Sequence, residues 1–250
     1  MSGEVTAENT SYPAPDGLAV ATYLARPAGD GPFPAIVMCY EFWGMLEVPG
    51  GASHMRDIAQ RFARAGYVAA VPDHYATRGQ QPTMEGGVLD NGPPDAESDR
   101  DLCAGARWLQ SLPFVRQGPI GVVGWCGGGR HALFLAAECP AIGAAASFYG
   151  RAINRPNNPS QSPIDVVARM HCPVFGAYGE ADEAIPVETI RQLEAELEHH
   201  GVPHEIHYYP NAGHAFMNNE RDSYNESAAT DAWQRLLGFF ARYLIAARPV

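Results

Sequence analysis

The sequence predicts an α/β fold, a mostly parallel central sheet with helices on both faces, and three observations support it. Short apolar runs such as Ala35-Ile36-Val37-Met38-Cys39 and Ile120-Gly121-Val122-Val123 lack polar alternation, as strands buried on both faces do. These runs alternate with segments of helical spacing, giving a βαβα rhythm. No internal repeat and no long linker divides the 250 residues, so one domain spanning 1–250 is expected.

In chain order, Leu18, Val20, Thr22 and Leu24 alternate weakly beside the turn residues Pro15-Asp16-Gly17, which predicts an N-terminal antiparallel hairpin. The first buried strand follows Gly31-Pro32. Ser53 is positioned to cap a helix running through Ala65, with Gly66 as its stop. Tyr67 to Val71 reads as the second buried strand, and the Gly-, Pro-, Asn- and Asp-rich residues 74–96 as a long surface excursion. Leu102, Ala106 and Leu109 mark a helix from about Ser98 to Leu112. After the strand at Ile120, a helix starts at Gly127 or Gly128. Ala144 to Tyr149, Val174 to Tyr178 and Ile206 to Tyr209 are further strands, with helices near Val187 to His199 and Ala228 to Ala246.

A formal net charge of −11 disfavours a nucleic-acid partner, since no excess of Lys and Arg exists to neutralise phosphates. The first residues show no basic stretch followed by an apolar run, and no window approaches a membrane span. Five cysteines (Cys39, Cys103, Cys126, Cys139, Cys172) at wide spacings match neither a disulfide framework nor a metal pattern, so a reducing cytoplasm is the expected compartment. Asn9-Thr10-Ser11 and Asn225-Glu226-Ser227 match the glycosylation sequon, without a secretion signal to give them meaning. No cofactor and no metal is expected. The oligomeric state is not legible.

Gly124-Trp125-Cys126-Gly127-Gly128-Gly129 lies between a buried strand and an apolar helix, as a G-x-S-x-G elbow with cysteine for serine. A strained turn there exposes one side chain at the sheet edge, and the helix N-terminus favours a thiolate and an oxyanion alike. A buried structural cysteine is the bland alternative. Gly127-Gly128-Gly129-Arg130-His131-Ala132 also fits a dinucleotide-binding turn. That reading, a nicotinamide-dependent oxidoreductase, expects an acid about twenty positions on. The chain has Ser147-Phe148-Tyr149-Gly150-Arg151 there.

A hydrolase elbow expects an acid and then a histidine, each on a loop after a strand. Asp182 in Gly179-Glu180-Ala181-Asp182-Glu183 is the acid, with Glu180 and Glu183 as rivals. His214 in Pro210-Asn211-Ala212-Gly213-His214-Ala215-Phe216 is the histidine. Among the other histidines, His199, His200 and His204 surround a helix end, His131 is on the elbow helix, His171 precedes a strand, and His54 and His74 lie in loops or at a helix start. An α/β-hydrolase fold with nucleophile Cys126, base His214 and orienting acid Asp182 follows, the alternative being a non-catalytic binding module on that fold.

With these motifs the chain resembles the dienelactone hydrolase (carboxymethylenebutenolidase) family from roughly Tyr12 to Tyr243. The resemblance rests on Cys39-Tyr40-Glu41-Phe42-Trp43-Gly44, Val71-Pro72-Asp73-His74-Tyr75-Ala76, the Gly-Trp-Cys-Gly-Gly elbow, Gly179-Glu180-Ala181-Asp182 and Ala212-Gly213-His214-Ala215-Phe216. It implies a small ester or lactone substrate, attack by the cysteine, and a carboxylate at Glu41 that contacts the resting thiol. It also implies an oxyanion hole from the backbone N–H groups of Gly127 and Phe42. The family's two carboxylate-binding arginines are matched imperfectly. Arg78 is shifted by one position, and Asn218 stands where the second would fall, leaving Arg221 as a substitute. Arg78, Tyr75, Trp43 and Tyr149 are the candidate substrate contacts.

Overall fold

Eight strands form one sheet in the order β1-β2-β4-β3-β5-β6-β7-β8. They are β1 (Val5–Pro13), β2 (Ala19–Pro27), β3 (Ala35–Cys39), β4 (Val68–Pro72), β5 (Ile120–Trp125), β6 (Ile142–Phe148), β7 (Val174–Gly179) and β8 (His204–Tyr209). The computed structural model describes residues 3–79, 95–154 and 160–246. β1 and β2 are the expected antiparallel hairpin, β2 meets β4 antiparallel, and every later pairing is parallel.

The apolar runs behave as strands because both of their faces are covered. Along β3, Ala35, Val37 and Cys39 enter one core cluster while Ile36 and Met38 enter the other. The first cluster is closed by α3 (Asp95–Ser111), α4 (Gly127–Glu138) and α5 (Val187–His199), the second by α1 (Ala52–Arg64) and α6 (Glu226–Phe240). Because these strands run parallel, the loops that follow them emerge at one edge of the sheet, where ligands of open α/β sheets sit.

Several local readings shift. The N-cap of α1 is Gly51, and Ser53 instead donates its hydroxyl hydrogen to Glu220 at 2.8 Å. The excursion begins with a short helix, α2 (His74–Thr77), and α3 starts at Asp95, earlier than the spacing suggested; residues 80–94 lie outside the described residues. Asn225 of the second sequon caps α6, accepting from the Ala228 N–H at 3.1 Å.

The cysteine reading needs correction. Cys103 on α3 and Cys139 after α4 are joined in a disulfide, leaving Cys39, Cys126 and Cys172 free. The bond crosses 36 residues, and only the side-by-side packing of α3 and α4 brings its ends together. The inference of a reducing compartment from cysteine usage therefore loses its basis. No helix among the described residues is long and apolar enough to cross a membrane.

Candidate active site

The elbow is built by backbone necessity. Cys126, between β5 and α4, takes φ 54° and ψ −117°, a conformation unfavourable for a residue with a Cβ, and its N–H donates to Phe148 O at 3.0 Å. Glycines make room for the turn. A Cβ on Gly124 would lie 1.9 Å from Gly128 O, and one on Gly128 would lie 2.0 Å from Cys39 O. Gly128 also donates to Tyr40 O at 3.1 Å. These glycines are thus occupied in joining helix to sheet, and β6 ends at Phe148 with no acid beside it, so the dinucleotide reading finds no support in their geometry.

The loops after β7 and β8 meet the elbow at this edge. His214 Nε2 lies 3.2 Å from Cys126 Sγ, and His214 Nδ1 lies 2.7 Å from Asp182 Oδ2. The second oxygen of Asp182 accepts from the N–H groups of Ala184 (2.8 Å) and Ile185 (2.9 Å), which locks the carboxylate's orientation. Glu180 and Glu183 are exposed while Asp182 is buried, so burial separates the acid from its rivals. Burial opposes charge on His214, but the hydrogen bonds to Asp182 and Cys126 outweigh it and push the imidazole up to about 10. The ring is steadied edge-on by Tyr149, 5.2 Å away between centroids.

Helix α4 begins at Gly127, whose N–H is one of the unpaired donors of a helix start. Neither this N–H nor that of Phe42 has a protein acceptor among the described residues, whereas the flanking Cys126 and Gly128 N–H groups do. Phe42 and Trp43 are half-buried and in mutual ring contact, with centroids 4.6 Å apart.

Glu41 departs from the expected contact with the thiol. It is buried, with Oε1 accepting from the Tyr149 hydroxyl (2.8 Å) and Oε2 from Asn218 Nδ2 (3.1 Å). Arg221 Nη2 stands 3.6 Å from the same Oε2. The thiol's hydrogen-bond partner is His214. Tyr149 is also unlike its expected role: fully buried, it holds Glu41 and packs on His214 instead of facing a substrate.

Arg78 is likewise already paired with carboxylates of this chain. Its Nε and Nη2 grip both oxygens of Asp101 at 2.9 and 2.7 Å, and Nη1 pairs with Asp16. Its side chain is 7% exposed and that of Asp101 is 0% exposed, so the pair fastens the α2 end to α3 and the hairpin turn. Arg78→Ala leaves a buried carboxylate without its cation. The expected loss is about 3–5 kcal/mol of stability, read as a lower denaturation midpoint, with KM for anionic and neutral esters changing alike. A selective rise in KM for anionic esters would restore the anchoring role.

A buried pair that the sequence did not signal lies behind the elbow. His131 Nδ1 is 2.8 Å from Asp99 Oδ1, and the ring of His74 packs against those of His131, Tyr40 and Tyr75. The i, i+5 offset of His131 from the nucleophile was visible, but its partner is 32 residues away on another helix.

Comparison with known proteins agrees with this geometry. The model of the dienelactone hydrolase family matches residues 20–244. A provisionally named carboxymethylenebutenolidase of Methylorubrum extorquens is 34% identical over 252 residues, covering 98% of this chain and 82% of that protein. One from Salmonella typhimurium is 34% identical, covering 96% and 89%. A crystal structure of a provisionally named dienelactone hydrolase from Klebsiella pneumoniae superposes with a TM-score of 0.88 at 32% identity, covering 96% of this chain and all of that one. A match across nearly the whole length, with the elbow and both loops inside it, means that the chain belongs to the dienelactone hydrolase family.

Proposed function

We propose that this member of the family hydrolyses a small lactone or carboxylic ester through Cys126, His214 and Asp182, by way of a thioester. The observation that carries the reading is the continuous chain of contacts from the carboxylate through both imidazole nitrogens to the sulfur. An imidazole pushed up to about 10 keeps its proton at neutral pH, beside a sulfur placed to attack.

Cys126 Sγ adds to the carbonyl carbon, and the π pair moves to the oxygen, which the Gly127 and Phe42 N–H groups receive. Collapse breaks the C–O bond. The departing alkoxide takes the proton from His214 Nε2, and in a lactone it stays tethered to the acyl group. Water then attacks the thioester with its proton passing to His214, releasing the carboxylic acid and restoring the sulfur. Asp182 holds the imidazole in the tautomer that presents Nε2 to the sulfur and stabilises its charge. Glu41, bonded to Tyr149 and Asn218, positions the ring support beneath His214 and the loop that follows it. Arg221, about a third exposed beside Glu41, is the cation offered to a substrate carboxylate.

The test is a screen of small lactones and short esters, with and without a carboxylate, joined to mass spectrometry of protein quenched in acid. An acyl adduct on Cys126 that hydroxylamine removes is the expected result. Turnover without any adduct on the Cys126 peptide, even with slowly deacylating esters, would replace covalent catalysis by direct water attack.

A further inference from the structure

We propose that the Tyr75 hydroxyl is a further catalytic group, donating a hydrogen bond to the substrate carbonyl oxygen as negative charge develops on it. The proposal rests on the cysteine-triad reading above and adds a side-chain donor to its two backbone donors. Its first support is position. Beyond its two chain neighbours and the backbone of its own helix, a Cβ built on Gly127 would meet the Tyr75 hydroxyl at 3.8 Å and no other atom within 4 Å among the described residues. The Tyr75 hydroxyl therefore borders the open space beside Gly127, next in the chain to the nucleophile. On this proposal an oxygen seated on the Gly127 N–H also meets the phenol. Burial and then the nearby Cys126 raise the pKa of the phenol, so it remains a protonated donor at working pH.

The second support is that this hydroxyl has no other employment. The hydroxyls of Tyr12, Tyr40, Tyr149 and Tyr178 donate to Asp101 O, Asp73, Glu41 and Ser147. Tyr75 Oη donates to no acceptor among the described residues, and it is not among the enclosed polar atoms left without a partner. The residue is half-buried, which leaves the hydroxyl available to a group in the site.

The third support is how firmly the ring is held. The Tyr75 N–H donates to the Tyr40 hydroxyl at 2.8 Å, and the Tyr40 ring meets that of Tyr75 edge-on at 5.1 Å. His74 packs on the ring at 4.4 Å and His131 at 6.5 Å, the latter fixed by Asp99. A donor fixed before the reaction stabilises developing charge without reorganising, whereas a free surface phenol would have to be ordered first. This assigns a purpose to the buried Asp99–His131 pair: it supports the wall that aims Tyr75.

Because the hydroxyl bonds to no described protein group, Tyr75→Phe removes the donor without orphaning an acceptor. The expected result is a kcat lower by roughly 10²-fold with KM little changed. Alkylation of Cys126 by iodoacetamide, which develops no oxyanion, keeps its wild-type rate. The preference for an oxygen ester over the matching thionoester, whose sulfur accepts hydrogen bonds poorly, narrows in the variant. Wild-type kcat in Tyr75→Phe, while Cys126→Ala is inactive, overturns the proposal and leaves the triad reading standing. Parallel loss of turnover and alkylation also overturns it, because Tyr75 would then merely shape the elbow. Full turnover in Cys126→Ala removes the triad reading and this proposal with it.

Discussion

Cys126→Ala is expected to lower hydrolysis by about 10⁴-fold or more while the variant still folds with the wild-type circular dichroism spectrum. The size follows from the chemistry: without sulfur no thioester forms, and what remains is water attacking a carbonyl polarised by the oxyanion donors. The specificity follows from the surroundings of the other cysteines. Cys103 and Cys139 are bonded to each other. Cys172 is buried, which pushes its thiol up to about 12, and enclosed Cys39 is raised well above the ordinary thiol value by burial and by Asp99. Neither offers a thiolate at neutral pH, since low-dielectric surroundings disfavour the charge. Iodoacetamide on the folded protein should therefore label Cys126 alone and remove activity in step with labelling. Alkylation of Cys39 or Cys172 at a comparable rate would mean that the two buried thiols are reached, and retention of a tenth of wild-type turnover in Cys126→Ala would end the nucleophile assignment.

Asp182→Asn is expected to lower kcat by roughly 10³- to 10⁴-fold at unchanged fold. An amide can hydrogen-bond His214 Nδ1, but it supplies no charge to stabilise an imidazolium and can turn its NH₂ toward the ring, favouring the wrong tautomer. The backbone N–H groups of Ala184 and Ile185 that now bond Oδ1 hold the amide in place, so the loop itself should survive. The pH profile carries a second signature. With His214 pushed up to about 10, wild-type kcat/KM should fall on the alkaline side through that value as the imidazolium is lost. Removing the carboxylate moves this limb to lower pH. Stability moves in the same sense. The folded value lies above the unfolded one of about 6.5, so the contribution of this proton is fully present below about 6.5 and is lost as pH rises through about 10. A variant whose alkaline limb stays where the wild type has it would show that Asp182 is not what holds the proton on His214. Glu183→Gln, at an exposed position, should leave both kcat and the limb unchanged.

The strands, the elbow and the chain order of Cys126, Asp182 and His214 were legible because each is written in a few adjacent residues. An apolar run without alternation needs both faces covered, and a glycine on either side of a cysteine marks a turn where a Cβ would strike the next element. Those constraints act over the length of a turn, so the sequence by itself determined the α/β architecture and where the side chains proposed for the chemistry emerge. The contacts that the family resemblance implied for Arg78, Tyr149 and Glu41 were not legible in this way, and the structure gives all three side chains other partners. Whether Arg78 faces a ligand depends on Asp101 and Asp16, 23 and 62 residues away, and the partners of Glu41 lie 108 and 177 residues away. The Cys103–Cys139 bond and the Asp99–His131 pair have the same origin, since α3 and α4 are brought side by side by packing on the parallel strands β3 and β5. Only the tertiary structure decided which polar groups satisfy one another. A buried charge or donor must take whatever partner the packed elements bring within about 3 Å, and nothing local in the chain specifies which one that is.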